Sequence, residues 1–133
     1  MDAVLQKIRD FADQAHGGQT RKYSPDRYIV HPVQVMNLCH EHTNDTAVLA
    51  AALLHDVLED TPVTKEQLDE YLITAMDIRT ARRTLQLVVE LTDVYVKKNF
   101  PHWNRRKRKA KEALRMEKTS AEAQTVKHAD IID

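Results

Sequence analysis

The chain of 133 residues is poor in several things, and each shortage excludes something. It has one cysteine, Cys39, so no disulfide can close within it and no thiolate knuckle can bind zinc. That thiol reads as a small buried hydrophobe on a helix. It has only two glycines, Gly17 and Gly18, beside many Ala, Leu, Glu, Lys and Arg, a balance that argues for an all-helical domain. It has no excess of charge of either sign, with 20 Lys plus Arg against 20 Asp plus Glu, so no global basic field draws it to nucleic acid or an anionic membrane. It lacks a long apolar run: Ala47 to Leu54 is the longest and is far too short to span a bilayer. Its N-terminus, Met1-Asp2-Ala3, enters an amphipathic helix pattern rather than a signal peptide. These readings point to a cytoplasmic, reducing setting. The length fits one domain, residues 1–133. Histidine is the residue in surplus, at seven.

Apolar spacing sets the expected elements. Val4, Leu5, Ile8, Phe11, Ala12 and Ala15 give a first helix to about His16, ended by Gly17-Gly18. A polar loop follows, and Pro32 is placed to be the first residue of a second helix, with His31 just before it. Asp45 or Thr46 caps a third helix that is apolar on all sides to Leu54, and is expected to run on to about Asp60. Thr64 with Gln67 forms a capping box for a short helix. One stripe from Ile78 to Tyr95 and a second of Leu87, Leu91 and Val94 predict a long helix packed on two sides. A basic helix starts near Trp103, and Thr119 with Glu122 is read as a capping box opening the last helix. His16, His40 and His42 read as surface or helix-end residues.

The informative segment is Leu53-Leu54-His55-Asp56-Val57-Leu58-Glu59-Asp60. On a continuous helix, positions 55, 56, 59 and 60 span an arc of about 140°. That is one polar face on an otherwise buried element, which is costly unless a cation or hydrogen bonds compensate. A divalent metal is the simplest compensation, and mixed imidazole and carboxylate donors suit a harder first-row ion without excluding zinc. His31 and Asp130 are further candidate ligands. Taken singly, each has a plainer reading: a cap or surface residue for His31, a solvated acid for Asp130, a chance pair for His55 and Asp56.

The order of short motifs is more specific than any one of them. Gly18-Gln19-Thr20-Arg21-Lys22 is followed by Tyr28-Ile29-Val30-His31-Pro32, then Ala51-Ala52-Leu53-Leu54-His55-Asp56, Glu59-Asp60-Thr61, and Lys127-His128-Ala129-Asp130. From about Ile8 onward this set resembles the hydrolase domain of the RelA/SpoT family, especially its small single-domain alarmone hydrolases. The resemblance implies an all-α HD fold. It implies one metal ion, typically Mn²⁺, on His31, His55, Asp56 and Asp130, with Glu59 and Asp60 positioning or deprotonating the attacking water. It implies substrate contacts from Arg21 and Lys22, with Tyr28 and Arg105 as further candidates. The implied reaction removes the 3′-pyrophosphate from (p)ppGpp or the adenine alarmone (p)ppApp. The implied partner is a small nucleotide, with no nucleic acid and no membrane; the basic helix and the two-sided long helix leave room for a homo-oligomer.

This chain departs from the family pattern at three points. Arg27 stands where proline is usual before Tyr28, and reads as a looser loop or an extra phosphate contact. His128 replaces the usual leucine beside Asp130, and reads as a group behind the metal site or, in preference, a tolerated core substitution. An asparagine one turn after the metal aspartate would be residue 134, so the domain is read as ending early, inside its last ligand helix. Two other functions stay open: another HD nucleotide phosphohydrolase, such as a monophosphatase, and a nucleotide-sensing HD module without turnover.

Overall fold

A computed structural model of the protein describes residues 1–133. Its helices are α1 (Ala3–His16), α2 (Val30–His40), α3 (Thr46–Leu54), α4 (Val57–Asp60), α5 (Lys65–Ala75), α6 (Ile78–Leu91), α7 (Arg105–Glu117) and α8 (Ala121–Ile132). The only β geometry is a single bridge between Thr20 and Arg27, so the all-α class expected from composition is the one observed.

The apolar run makes the centre. All eight residues Ala47–Leu54 of α3 are buried, and α3 packs against α1, α2, α6 and α8. A helix hydrophobic on every side can be stable only in such a position. The two stripes on α6 are likewise used on two sides, against α3 and α5 and against α8. Cys39 is fully buried in this core, and burial pushes its thiol up to about 11. That is the inert thiol the sequence suggested.

Local signals explain most helix ends. Gly17 ends α1 at φ +57°, a left-handed position that favours glycine. Thr64 and Gln67 form the reciprocal capping box: the Thr64 hydroxyl accepts from Gln67 N at 3.1 Å and Gln67 Oε1 accepts from Thr64 N at 3.0 Å.

Four expectations are corrected. First, α2 begins at Val30, so Pro32 is its third residue and His31 lies within the first turn. Pro32 is tolerated there because the first N–H groups of a helix have no partner to lose. Second, the third helix does not reach Asp60. It stops at Leu54, and Asp56, at φ −104° and ψ −2°, separates it from α4. Third, α6 ends at Leu91, before Tyr95. The chain then turns back under α7, where Glu112 accepts from the backbone N–H groups of Val94 and Tyr95 at 3.1 and 2.9 Å. Fourth, α8 is capped by Ser120 rather than Thr119. The Ser120 hydroxyl accepts from Ala123 N at 3.2 Å, while the Thr119 hydroxyl bonds back to Met116 O at 2.7 Å.

Candidate active site

Three helix ends converge on one spot. The first turn of α2 brings His31, the break after α3 brings His55 and Asp56, and the last turn of α8 brings Asp130. His31 Nε2 lies 2.7 Å from Asp130 Oδ1. His55 Nε2 lies 3.0 Å from Asp56 Oδ2 and 3.3 Å from Asp130 Oδ1. The break in the helix accounts for the position of Asp56: a continuous helix would carry it about 100° around the axis from His55.

The tautomer of His55 is set by its other nitrogen. Nδ1 donates to the carbonyl of Ala52 at 2.7 Å, so in the neutral ring Nε2 is a bare lone pair. That atom is buried and has no hydrogen-bond partner, since neither neighbouring carboxylate oxygen is in line with it. A buried lone pair facing two carboxylates is an arrangement of acceptors only, which a cation relieves. The electrostatics agree. Burial opposes a charge on His55, yet Asp130 and Asp56 outweigh it and raise the ring's pKa. Burial likewise opposes ionisation of Asp130, and the hydrogen bond to His31 with the nearby charge of His55 outweighs it, holding this carboxyl well below its usual range.

The surroundings hold these groups in place. Tyr28 donates its hydroxyl to Asp56 Oδ2, so a residue read from the sequence as a nucleotide contact is spent on a candidate ligand. On the other side of the ring, His31 Nδ1 meets Asp133 Oδ2 at 2.7 Å, a histidine–carboxylate pairing typical behind metal-binding rings. The same Asp133 oxygen pairs with Arg21 at 3.0 Å, and Arg21 also donates to Gln34 at 3.2 Å. Asp133 was not singled out in the sequence. Lys22 is exposed, with its ammonium 5.1 Å from the Tyr23 ring centroid.

Next to the His–Asp cluster is an acidic face. Oxygen atoms of Asp56, Glu59 and Asp60 lie within 4.8 Å of one another. Glu59 accepts from the backbone N–H of Asp93 at 2.9 Å. Burial, then the charge of Asp93, pushes the Glu59 carboxyl up to about 7. Burial and the charge of Asp56 raise Asp60 as well. A pocket of about 260 Å³ abuts Glu59 and is lined also by Asp93, Lys97, Arg105, Arg108 and Lys109. Arg105 is thereby beside the acidic face, whereas Lys22 is at the loop tip.

The departures from the family pattern resolve structurally. Arg27 pairs with Asp13 on α1 at 2.6 Å. His128 is not a core substitution, because it is exposed on α8. His16, read as a surface or helix-end residue, does end α1 but is buried there, under the ring of Tyr28.

A helical domain that gathers two histidines and two aspartates from three helix ends defines a class, that of all-α domains with a histidine–aspartate cluster suited to a divalent metal. The chain belongs to the HD domain family, which matches residues 9–126. It is similar to a guanosine-3′,5′-bis(diphosphate) 3′-pyrophosphohydrolase of Vibrio cholerae, 53% identical over 60 residues that make up 45% of this chain and 8% of that protein. It is similar to a bifunctional (p)ppGpp synthase/hydrolase RelA of Mycobacterium tuberculosis, 49% identical over 59 residues, 44% of this chain and 8% of that one. The match therefore spans under a tenth of the length of these curated relatives. Among solved structures, a metazoan ortholog of SpoT that hydrolyses ppGpp and plays a role in starvation responses superposes with a TM-score of 0.78. It is 27% identical and covers 98% of this chain and 67% of its own. No helix is long and apolar enough to cross a membrane.

Proposed function

We propose that residues 1–133 act as one cytoplasmic hydrolase domain that removes the 3′-pyrophosphate of (p)ppGpp or (p)ppApp, using a divalent metal, Mn²⁺ in the first place. The observation that carries this reading is the buried Nε2 of His55, without a hydrogen-bond partner, between the carboxylates of Asp56 and Asp130. The similarity to proteins described as hydrolysing ppGpp supplies the substrate.

His31, His55, Asp56 and Asp130 would hold the ion. When bound, it supplies Lewis-acid polarisation of a phosphoryl oxygen and a lowered pKa for water. The protein's own residues do the rest. Asp133 and the Ala52 carbonyl fix the two imidazoles in the orientation that points Nε2 into the site. Tyr28 fixes Asp56. Glu59, with a pKa near neutrality, is suited to take a proton from the attacking water at the pH of the cell, with Asp60 beside it. The reaction adds water across the bond between the 3′-diphosphate and the ribose, so that pyrophosphate leaves and the 3′-hydroxyl is restored. Arg105, with Lys97, Arg108 and Lys109 around the same pocket, offers the charge that diphosphates need. Arg21 and Lys22 are the candidate contacts on the opposite loop.

The test is product analysis of the purified protein with ppGpp, pppGpp and pppApp, each with Mn²⁺ and with EDTA. Pyrophosphate released only with metal supports the proposal and ranks the bases. Orthophosphate as the product would make the chain a different phosphohydrolase, and bound nucleotide without any product would make it a sensor.

A further inference from the structure

His16 ends α1 and has no part in the chemistry described above, yet it is only 6% exposed. Its ring lies 4.4 Å from that of Tyr28, the residue whose hydroxyl reaches Asp56. Its Nδ1 is 3.2 Å from Gln19 Oε1. Its Nε2 is buried and has no hydrogen-bond partner. A buried ring nitrogen left unpaired in a folded protein calls for a partner or a use.

The neighbours narrow the choice. The Tyr28 hydroxyl is committed to Asp56. The Gln19 amide serves Nδ1 and, by turning over, can offer either oxygen or nitrogen to it. Helix α4, whose last residue is Asp60, packs on α1, whose last residue is His16, and the two side chains are near enough to interact. An ionised carboxylate only accepts, so a bond between the two requires the proton on Nε2.

We infer that His16 is a positioning residue: in the working site its Nε2–H donates to the Asp60 carboxylate and holds that acid against the Asp56–Glu59 face, while its ring supports Tyr28 behind Asp56. The inference rests on the reading that Glu59 and Asp60 handle the water. It adds α1 to the elements that build the site and gives Asp60 a fixed orientation, which a carboxylate at the exposed end of a short helix otherwise lacks.

The two amide side chains test this, because each mimics one ring nitrogen. His16→Gln places an amide N–H₂ near the position of Nε2, and His16→Asn reaches only the position of Nδ1. For Mn²⁺-dependent pyrophosphate release from ppGpp, His16→Asn is expected to lower kcat ~10–100-fold with KM within about twofold, as for other residues that orient a reacting group. His16→Gln is expected to recover most of that loss. Equal loss in both variants would reduce His16 to a packing role and overturn the inference, as would full activity in His16→Asn. A second measurement needs no variant of His16 and no turnover. In a long-range ¹H–¹⁵N spectrum of the wild type, His16 Nε2 should carry a proton, and its signal should move in Asp60→Asn. A bare Nε2, or a signal indifferent to Asp60, overturns the contact. Wild-type protein that releases no pyrophosphate would overturn the reading of the site instead, while the spectrum still decides whether His16 and Asp60 are bonded.

Discussion

Asp130 sits near the far end of α8 from the cap that starts it, so that cap is a test of how the site is built. Ser120 makes three hydrogen bonds there: its hydroxyl accepts from Ala123 N at 3.2 Å and donates to Glu90 at 2.8 Å, and its own N–H reaches Glu90 at 3.1 Å. Ser120→Ala removes the first two. Losing an N-cap costs about 1 kcal/mol. Losing a bond to a charged acceptor costs about 1.5 kcal/mol, reduced here because Glu90 keeps the backbone N–H and some access to water. The sum is about 2 kcal/mol, which for a chain of this size lowers Tm by roughly 6–10 °C. Thr119→Ala loses only its hydroxyl's local contacts with the Met116 carbonyl and sulfur, and is expected to cost under about 0.5 kcal/mol. Urea and thermal melts of both variants, with and without Mn²⁺, provide the comparison. Equal losses in the two, or a larger loss in Thr119→Ala, would refute the assignment of the cap and with it the account of how α8 is anchored to α6.

Other expectations follow from the site. Tyr28→Phe removes the hydroxyl from Asp56 and should weaken Mn²⁺ binding ~10-fold or more in a calorimetric titration, with little change in fold. Glu59→Gln should lower kcat ~10²–10⁴-fold while leaving metal binding intact. Its stability should shift with pH in a definite sense. The folded state raises Glu59 from 4.5 to about 7, so between those values it holds a proton the unfolded chain has lost, and wild-type stability falls as pH rises through that window. The shift at face value is ~3 kcal/mol, but Glu59 is only partly covered and screening by the water on its open side leaves about 1 kcal/mol. Metal-free Glu59→Gln should therefore gain about that much on the wild type at pH 8 relative to pH 4 in denaturant titrations; no change with pH would contradict the perturbed carboxyl. Mn²⁺ at a hundred times its Kd should stabilise the wild type by about 2.7 kcal/mol, and EDTA should reverse it. Asp130→Asn should abolish that gain.

Much of this was legible in the sequence where one physical signal dominated. The run Ala47–Leu54 is apolar all round and could only be central. The Thr64–Gln67 box and the left-handed Gly17 mark their helix ends without help from the rest of the fold. What could not be read were features decided across long sequence distances. The break at His55–Asp56 carries no glycine or proline, and it bends the segment that holds both candidate ligands and water-handling acids. The cap passed to Ser120 because Glu90, thirty residues earlier, captures it. His16 precedes two glycines, as surface histidines at helix ends do, and only the packing of Tyr28 over it makes it buried. Asp133 carries no motif, and only the fold brings it to His31 and Arg21, more than a hundred residues away. The four candidate ligands could be named in advance only because their surrounding motifs were recognisable. Nothing in their individual spacing required them to meet.

The most direct test of the central claim is the ³¹P spectrum of ppGpp incubated with the wild-type chain and Mn²⁺, beside the same incubation with the Glu59→Gln, Asp60→Asn double variant. The expected result is conversion to GDP and free pyrophosphate by the wild type, halted by EDTA and absent in the double variant. Unchanged ppGpp in the presence of bound Mn²⁺, or release of orthophosphate in place of pyrophosphate, would contradict it.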